Sequence, residues 1–449
     1  MQDLTRGREG RLIFAFALPM LIGNIFQQLY NTVDSIIVGN TLGKAALAAV
    51  GASFPLIFLL VSLIIGLTMG STVLIAQFYG ARRLDQVKKA IDTTYIFLFV
   101  AALVFTLLGL VTSKPLLKLL KTPAEIFPLA QTYLQIIIAG LIFTFGFNTI
   151  SAVLRGLGNS KTPLYFLILS TLLNIVLDLV FILAFGWGVA GAAWATVIAQ
   201  AVSFLLGQLY LARRFALFRF DLKKMTFDRT IFFTTVKIGL PTGVQQMLVA
   251  TGMMALSRIV NNFNFGTAAV AAYTAAGRID SFASMPAMNL SAALSSFVGQ
   301  NLGAGKPERV KRGYLSTLGM AIAIALATTL TVALFGPELI ALFNTDPEVI
   351  AIGASYLVIV GSFYPVFAWM FITNGVLRGA GDTLIPMFFS VFSLWLIRVP
   401  VAALLARRLG TNGIWWGIPV AWTVGALLGF GYFLSGRWRR RSLIQITEE

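Results

Sequence analysis

Val-Leu-Arg-Gly-Leu-Gly-Asn-Ser-Lys-Thr-Pro runs from Val153 to Pro163 and returns as Val-Leu-Arg-Gly-Ala-Gly-Asp-Thr-Leu-Ile-Pro from Val376 to Pro386, a shift of 223 residues. Two further landmarks move by the same step. Gly80-Ala-Arg-Arg-Leu-Asp-Gln-Val-Lys-Lys-Ala reappears from Gly303, and Leu18-Pro19 reappears as Leu240-Pro241, 222 residues on. Three landmarks at one offset, close to half of 449 residues, mean tandem copies of one unit. In a membrane protein such duplication is the usual construction of a transporter whose halves move against each other.

The solvent this unit expects is lipid. Hydrophobic residues make up 58% of the chain and charged residues 11%, with mean hydropathy +0.85, against about 25% charged in a typical soluble domain. Apolar runs long enough to cross a ~30 Å hydrocarbon core recur along the chain. Six fall within residues 1–212 and six within 231–449, separated by a hydrophilic linker at 213–230. The expected fold is therefore all-α and integral to the membrane, with twelve transmembrane helices in two pseudo-symmetric six-helix bundles. Six spans per copy is an even number, so the copies enter the membrane from the same side and are parallel repeats. The first apolar run is far longer than a signal-peptide core and lacks a small-residue cleavage site, so it stays as helix 1.

The net charge of +17 invites a nucleic-acid reading, but its placement argues otherwise. With the N-terminus inside, 24 of the 34 Lys and Arg fall in cytoplasmic segments and 6 in outer loops. That is a strong positive-inside bias, which puts both termini and the linker in the cytoplasm. A nucleic-acid binder needs basic residues on a soluble face, and the chain offers no soluble domain. Gly303-Ala-Gly-Lys-Pro and Arg155-Gly-Leu-Gly-Asn-Ser do not fit the spacing of a phosphate loop, so no nucleotide site is expected. The energy must then come from an ion gradient. One charge crossing 100 mV supplies about 2.3 kcal/mol, enough for roughly 50-fold accumulation.

Histidine and cysteine are both absent. No His relay, thiol chemistry or His/Cys metal site is available, so buried proton or cation chemistry must use carboxylates. Asp34 falls late in helix 1 and Asp178 late in helix 5, both running outward. Thr196 lies about eight residues from the outer end of helix 6. At ~1.5 Å per residue the three reach similar depths in the first bundle. Asn174 is one turn from Asp178 on the same face. Two carboxylates, an amide and a hydroxyl suit a hard cation such as Na⁺, or a proton shared by the carboxylate pair. The blander reading has each Asp capping or bonding a neighbouring helix. At the repeat offset the second copy has Leu256 or Ser257, Ile397 and Val401 in place of Asp34, Asn174 and Asp178. A structural pair would be expected in both copies, and intramembrane carboxylates are functional by default.

The helix 1 stretch around Tyr30 and Asp34, the doubled Val-Leu-Arg-Gly-x-Gly-(Asn/Asp) element, Asn174-Ile-Val-Leu-Asp178 and the Gly-rich approach to Thr196 resemble the MATE (multidrug and toxic compound extrusion) family. The resemblance spans essentially the whole chain and is nearest the prokaryotic DinF-like branch. It implies the MATE fold and an antiporter that expels amphipathic, often cationic compounds in exchange for H⁺ or Na⁺. It also implies residence in a prokaryotic plasma membrane and no cofactor; a monomer is expected. The resemblance assigns cation binding to Asp34, Asn174, Asp178 and Thr196. It places Tyr30 and Tyr133 in the surrounding hydrogen-bond network, and the helix 1 bend at Pro19. Other branches carry acidic residues in helices 7 and 8 of the second bundle. Here helix 7 has none, and Asp280 in helix 8 has Arg278 two residues away, a spacing that does not put the pair face to face.

Met247, Met285 and Met288, with Met253 and Met254, cluster on helices 7 and 8. Together with Arg278 and Asp280 they are candidates for a substrate cavity, since methionine surfaces adapt to varied apolar ligands. A lipid-linked oligosaccharide flippase of the same superfamily would share the architecture but call for a strongly basic cavity, for which only Arg278, Arg398 and Arg258 are available. A major-facilitator symporter lacks its charged motif at Gly80-Ala-Arg-Arg-Leu-Asp. A membrane-embedded enzyme would need a nucleophile–base constellation that the chain does not offer.

Overall fold

A computed structural model describes residues 2–215, 218, 225–262 and 266–441. Among these residues there is no strand, as a bilayer demands of any chain that is not a closed barrel: only a helix pairs every backbone N–H and C=O within its own segment. The first copy runs α1 (Glu9–Leu42), α2 (Lys44–Gly80), α3 (Leu84–Leu119), α4 (Phe127–Ala139), α5 (Leu141–Gly156), α6 (Lys161–Asp178) and α7 (Gly188–Arg214). The second runs α8 (Arg229–Asn262), α9 (Gly266–Gly303), α10 (Pro307–Ala341), α11 (Pro347–Gly361), α12 (Tyr364–Gly379), α13 (Leu384–Val391), α14 (Val399–Leu409) and α15 (Thr411–Leu434).

These helices make twelve passages. α4 and α5 form one passage bent by 48°, as do α11 and α12. α6 continues through a π-helical turn, Leu179–Ala184, and α13 and α14 are joined by another, Phe392–Arg398. Eight described helices, or ten when each bent pair is one span, pass a test of length and apolarity. α8 and α9, at 34 and 38 residues, are long enough but more polar. The bend in the first copy sits at Gly140, where a Cβ would come within 2.4 Å of Val197.

The duplication is visible residue by residue. α3, α5, α6 and α7 begin at 84, 141, 161 and 188, while α10, α12, α13 and α15 begin at 307, 364, 384 and 411. Each pair differs by 223. The doubled motifs form matching helix ends. Gly158 and Gly381 take positive φ values of 80° and 90°. Their N–H groups bond to the carbonyls of Arg155 and Arg378, and the next N–H groups, of Asn159 and Asp382, reach back to Leu154 and Leu377. This is the two-bond C-cap that favours glycine. Arg155 and Arg378 therefore close α5 and α12 at equivalent positions, and Arg378 donates to the Ser291 hydroxyl at 2.8 Å. Two residues before the cap glycines, Gly156 and Gly379 let backbones meet. A Cβ on Gly156 would fall 2.9 Å from the Thr72 carbonyl oxygen, and one on Gly379 would fall 2.5 Å from that of Ser295. Close approach through small residues is how helices associate in lipid, where burial of apolar surface supplies little drive.

The described residues divide by contact into two compact units that do not follow the chain in simple order. One holds residues 19–243, and the other holds 3–18 with 244–449. The lobes expected from sequence, 1–212 and 231–449, are drawn along the chain; contact assigns the first part of α1 to the second unit and the first part of α8 to the first. In the second unit Leu4 N–H bonds to Gln300 Oε1 at 3.0 Å, Asn301 returns a bond to the Leu4 carbonyl at 3.1 Å, and Glu9 pairs with Arg309 at 3.1 Å and Arg312 at 3.4 Å. In the first, the start of α8 lies on α2: a Cβ on Gly66 would meet Gly243 N at 2.4 Å, and one on Gly70 would meet the Thr235 carbonyl at 2.3 Å. The unit boundaries fall at Pro19 and just past Pro241, the two equivalent prolines inside α1 and α8. Part of the 213–230 linker lies outside the described residues.

Candidate functional site

In the first unit four helices bring the polar residues together. Asn174 and Asp178 occupy the last turns of α6, directly before the π-helical turn. That turn is closed by Phe185 N–H on the Val180 carbonyl at 3.0 Å, a five-residue step. Widened turns of this kind recur at functional sites because they re-aim side chains and loosen the backbone ladder. Asp34 and Tyr30 come from α1, Thr196 from α7 and Tyr133 from α4.

The Asn174 amide, oriented to satisfy its neighbours, donates to Asp178 Oδ2 at 2.9 Å and accepts from Thr196 N–H at 3.1 Å. The Tyr30 and Thr196 hydroxyls share a hydrogen bond at 3.0 Å. Asp34 and Asp178 face one another, with Tyr30 and Tyr133 within electrostatic range of both. Asp178 is fully buried and Asp34 is 8% exposed. The Oδ1 atoms of both carboxyls are buried without a hydrogen-bond partner. Two adjacent carboxyls in a dry setting repel unless a proton or a cation sits between them. The free Oδ1 atoms are the acceptors such an ion would use.

A pocket of about 110 Å³ with a mixed polar and apolar lining opens beside these residues, on the side of Asp178 toward the start of α6. Tyr30, Asn174 and Thr196 form its wall next to the carboxyls, and Gln27, Asn148, Ser170, Thr171 and Gln200 line the rest together with Phe147, Leu167 and Ala199. The Thr144 hydroxyl bonds to Gln200 Oε1, and Asn148 Nδ2 donates to the Thr144 carbonyl at 2.8 Å. These residues escaped the sequence reading, although a signal existed. Ser170 and Thr171 precede Asn174 by four and three residues, and Gln200 follows Thr196 by four, so each continues a polar stripe along its helix face. A larger open depression, at Leu206, Leu209, Tyr210, Arg213 and Arg214, sits several turns down α7 from Thr196 and shares no residue with the acidic cluster.

The remaining candidates are dispersed. Met247 and Met285 are half-buried and Met288 is 40% exposed; the side chains of Met253 and Met254 lie outside the described residues. Arg278 is exposed. Asp280 lies in the second unit against the Tyr364 hydroxyl and in electrostatic range of Arg398. Among the described residues no three acidic side chains gather as in a dedicated metal site.

The profile of the MatE family matches this chain twice, over residues 19–180 and 241–404. Those are the two copies, each starting at its equivalent proline. The chain belongs to the MATE family. It is 35% identical over 442 residues to the "Probable multidrug resistance protein YpnP" of Bacillus subtilis (strain 168), covering 98% of each chain. It is 30% identical to the "Probable multidrug resistance protein NorM" of Thermotoga maritima, covering 96% of this chain and 94% of that one. Its fold matches a crystal structure described as MATE in the bent conformation with a TM-score of 0.91, at 28% identity and 98% coverage of both chains. The chain is thus a multi-pass membrane protein of a multidrug efflux transporter family, and its matched relatives are transporters rather than enzymes.

Proposed function

We propose that this MATE protein is an antiporter that exports amphipathic, often cationic compounds by alternating access, driven by H⁺ or Na⁺ entering through the first unit. The observation that carries the reading is the buried Asp34–Asp178 pair. It places two carboxyls in contact, leaves one oxygen of each unpartnered, and has no counterpart in the second copy. Asn174 and Thr196 hold Asp178 in place, and Tyr30 steadies Thr196. The amide- and hydroxyl-lined pocket beside them gives a hydrated ion a polar route to the pair.

With one ion bound, the like-charge repulsion is relieved; with the ion gone, the pair favours a cationic substrate or another ion. Exchange follows if the two occupants exclude one another. Positive-inside bias puts both termini in the cytoplasm of a bacterial plasma membrane, and Pro19, interior to α1, is the position where that helix bends as the site changes occupancy. The test is dye export from energised vesicles with the Na⁺ and H⁺ gradients collapsed separately. Export lost with only one of them names the coupling ion, and export indifferent to both rejects the antiport reading.

A further inference from the structure

The second unit buries a polar cluster of its own. Arg398, only 7% exposed, sits at the end of the π-helical turn between α13 and α14. Asp280 and Tyr273 of α9 and Tyr356 of α11 lie in electrostatic range of it, and Tyr364 of α12 lies in range of Asp280 and Tyr356. Trp415 of α15 closes the cluster. Its ring stacks on Tyr273 at 5.6 Å and 5° and meets Tyr356 edge-on at 5.1 Å. Arg398 Nε, Trp415 Nε1 and Asp280 Oδ1 are buried without a hydrogen-bond partner, while the Tyr364 hydroxyl faces the Asp280 carboxyl.

Nothing in the repeat requires these side chains. At the 223-residue offset the first copy has Ile175 for Arg398, Ala192 for Trp415, Leu141 for Tyr364, Ile57 for Asp280 and Val50 for Tyr273. The same helix framework thus packs with five apolar residues in one unit and five polar or amphipathic ones in the other. Each unsatisfied buried polar group costs about 1–3 kcal/mol, more if charged, and an arginine in a membrane interior is rarely idle. Three such groups in one cluster, where apolar residues would serve the fold, mark a place built for a ligand.

The donor set names the ligand's chemistry. Two of the three unpartnered groups are donors, a guanidinium N–H and an indole N–H. The guanidinium is permanently charged and favours planar oxyanions. The neighbouring rings of Tyr273, Tyr356 and Trp415 make the surroundings aromatic, which suits an organic body. Asp280 opposes an anion when charged, so it limits affinity rather than providing it. We propose that this cluster in the second unit is a binding site for the carboxylate of a small aromatic or amphipathic acid, with Arg398 and Trp415 as its donors. An acidic or zwitterionic substrate would be held here, in contrast to the cation held by Asp34 and Asp178. The proposal gains its transport meaning from the exporter reading, but binding can be measured with no gradient present, so either can fail alone.

The experiment is calorimetric titration of the purified full-length protein in maltoside detergent with 1-naphthaleneacetate and, separately, its neutral amide. The acid is expected to bind at least about tenfold more tightly than the amide, the span of one charge-assisted hydrogen bond. Arg398→Gln should reduce that preference to within about twofold. Asp280→Asn should tighten acid binding severalfold by removing the opposing charge. Trp415→Phe keeps an aromatic ring in place of the indole and deletes one donor, so it should weaken the acid more than the amide, by about threefold to tenfold. It also decides the matter if the Arg398 variant fails to elute as a folded protein. An acid-to-amide ratio near one in the wild type, or one that Trp415→Phe and a folded Arg398→Gln both leave unchanged, overturns the site. Displacement of the acid by about 100 mM chloride but not by the same concentration of methanesulfonate, well above an ordinary millimolar affinity, would replace the organic acid with an inorganic halide and reject the carboxylate assignment.

Discussion

The two buried clusters, one in each unit, grow from the same helix framework and share one residue position, Tyr133 in the first and Tyr356 in the second. Around that tyrosine the copies have diverged in opposite senses. The first gathers two carboxyls, an amide and hydroxyls; the second gathers one carboxyl, a guanidinium and an indole N–H. Duplication supplied the scaffold twice, and the scaffold tolerates either set because what it demands lies elsewhere, at Gly156 and Gly379, at the caps Gly158 and Gly381, and at Pro19 and Pro241. Shape is conserved between the halves while charge is not. In such a protein, comparing the copies separates residues that hold the fold from residues that act.

The sharpest way to break this division is to neutralise the acidic pair. Asp34→Asn and Asp178→Asn should each reduce gradient-driven export of a cationic dye to background while the protein still reaches the membrane. The double variant should lose no more than either single one, because residues acting as one unit are non-additive. Normal pumping by the Asp34 variant would remove the ion site from the first unit. Asp280→Asn is the matching test of the other cluster. It should change which compounds are exported and leave the dependence on the ion gradient in place, as read from export with each gradient collapsed in turn.

The shape half of the comparison makes smaller claims. Gly379→Ala should destabilise the second unit more than Gly156→Ala does the first, since the added methyl would meet carbonyl oxygen at 2.5 Å rather than 2.9 Å. Overpacking at such contacts costs about 1–3 kcal/mol, measurable as a drop in melting temperature in detergent. Equal melting for the two variants would mean that one of the helix pairs relaxes freely. The smallest effect is expected at the turn after α2 and its twin after α9. Arg82 has φ 57° where Gly305 has 68°. Gly305→Ala should therefore cost about 1 kcal/mol, whereas Arg82→Gly should gain less than that, because glycine also loosens the unfolded chain.

Much of this was legible in the sequence because its signals are local or periodic. The Gly-Leu-Gly-Asn and Gly-Ala-Gly-Asp turns announce their caps, and a carboxylate in an apolar run announces itself by its cost. Asp34 and Asp178, 144 positions apart, could be set at one depth by counting residues from helix ends. The rest depended on what packs against what. The 48° bend within the fourth passage carries no proline and sits where Gly140 meets Val197, a contact that sequence spacing does not reveal, whereas Pro365 opens α12 at the bend in the tenth. The π-helical turns after Asp178 and before Val399 leave the hydrophobic pattern unchanged. Arg398 read as one basic residue among several near a span end, because its company of Asp280, Tyr364 and Trp415 comes from three other helices. The pocket beside the acidic pair was missed since Asn148, Ser170 and Gln200 are unremarkable singly and meaningful only as a lining.

The exchange of helix segments between the two units sets a timetable for making the protein. Leu4 and Thr5 leave the ribosome first, yet their partners Gln300 and Lys306 follow 296 and 301 residues later. At about 5–20 residues per second, the opening segment waits roughly 15–60 s before it can dock. The first unit is likewise incomplete until the start of α8 has been made, well past its own seventh helix. A chain severed in the 213–230 linker would thus yield two pieces, each lacking a segment that the other carries, and neither could finish folding without its partner.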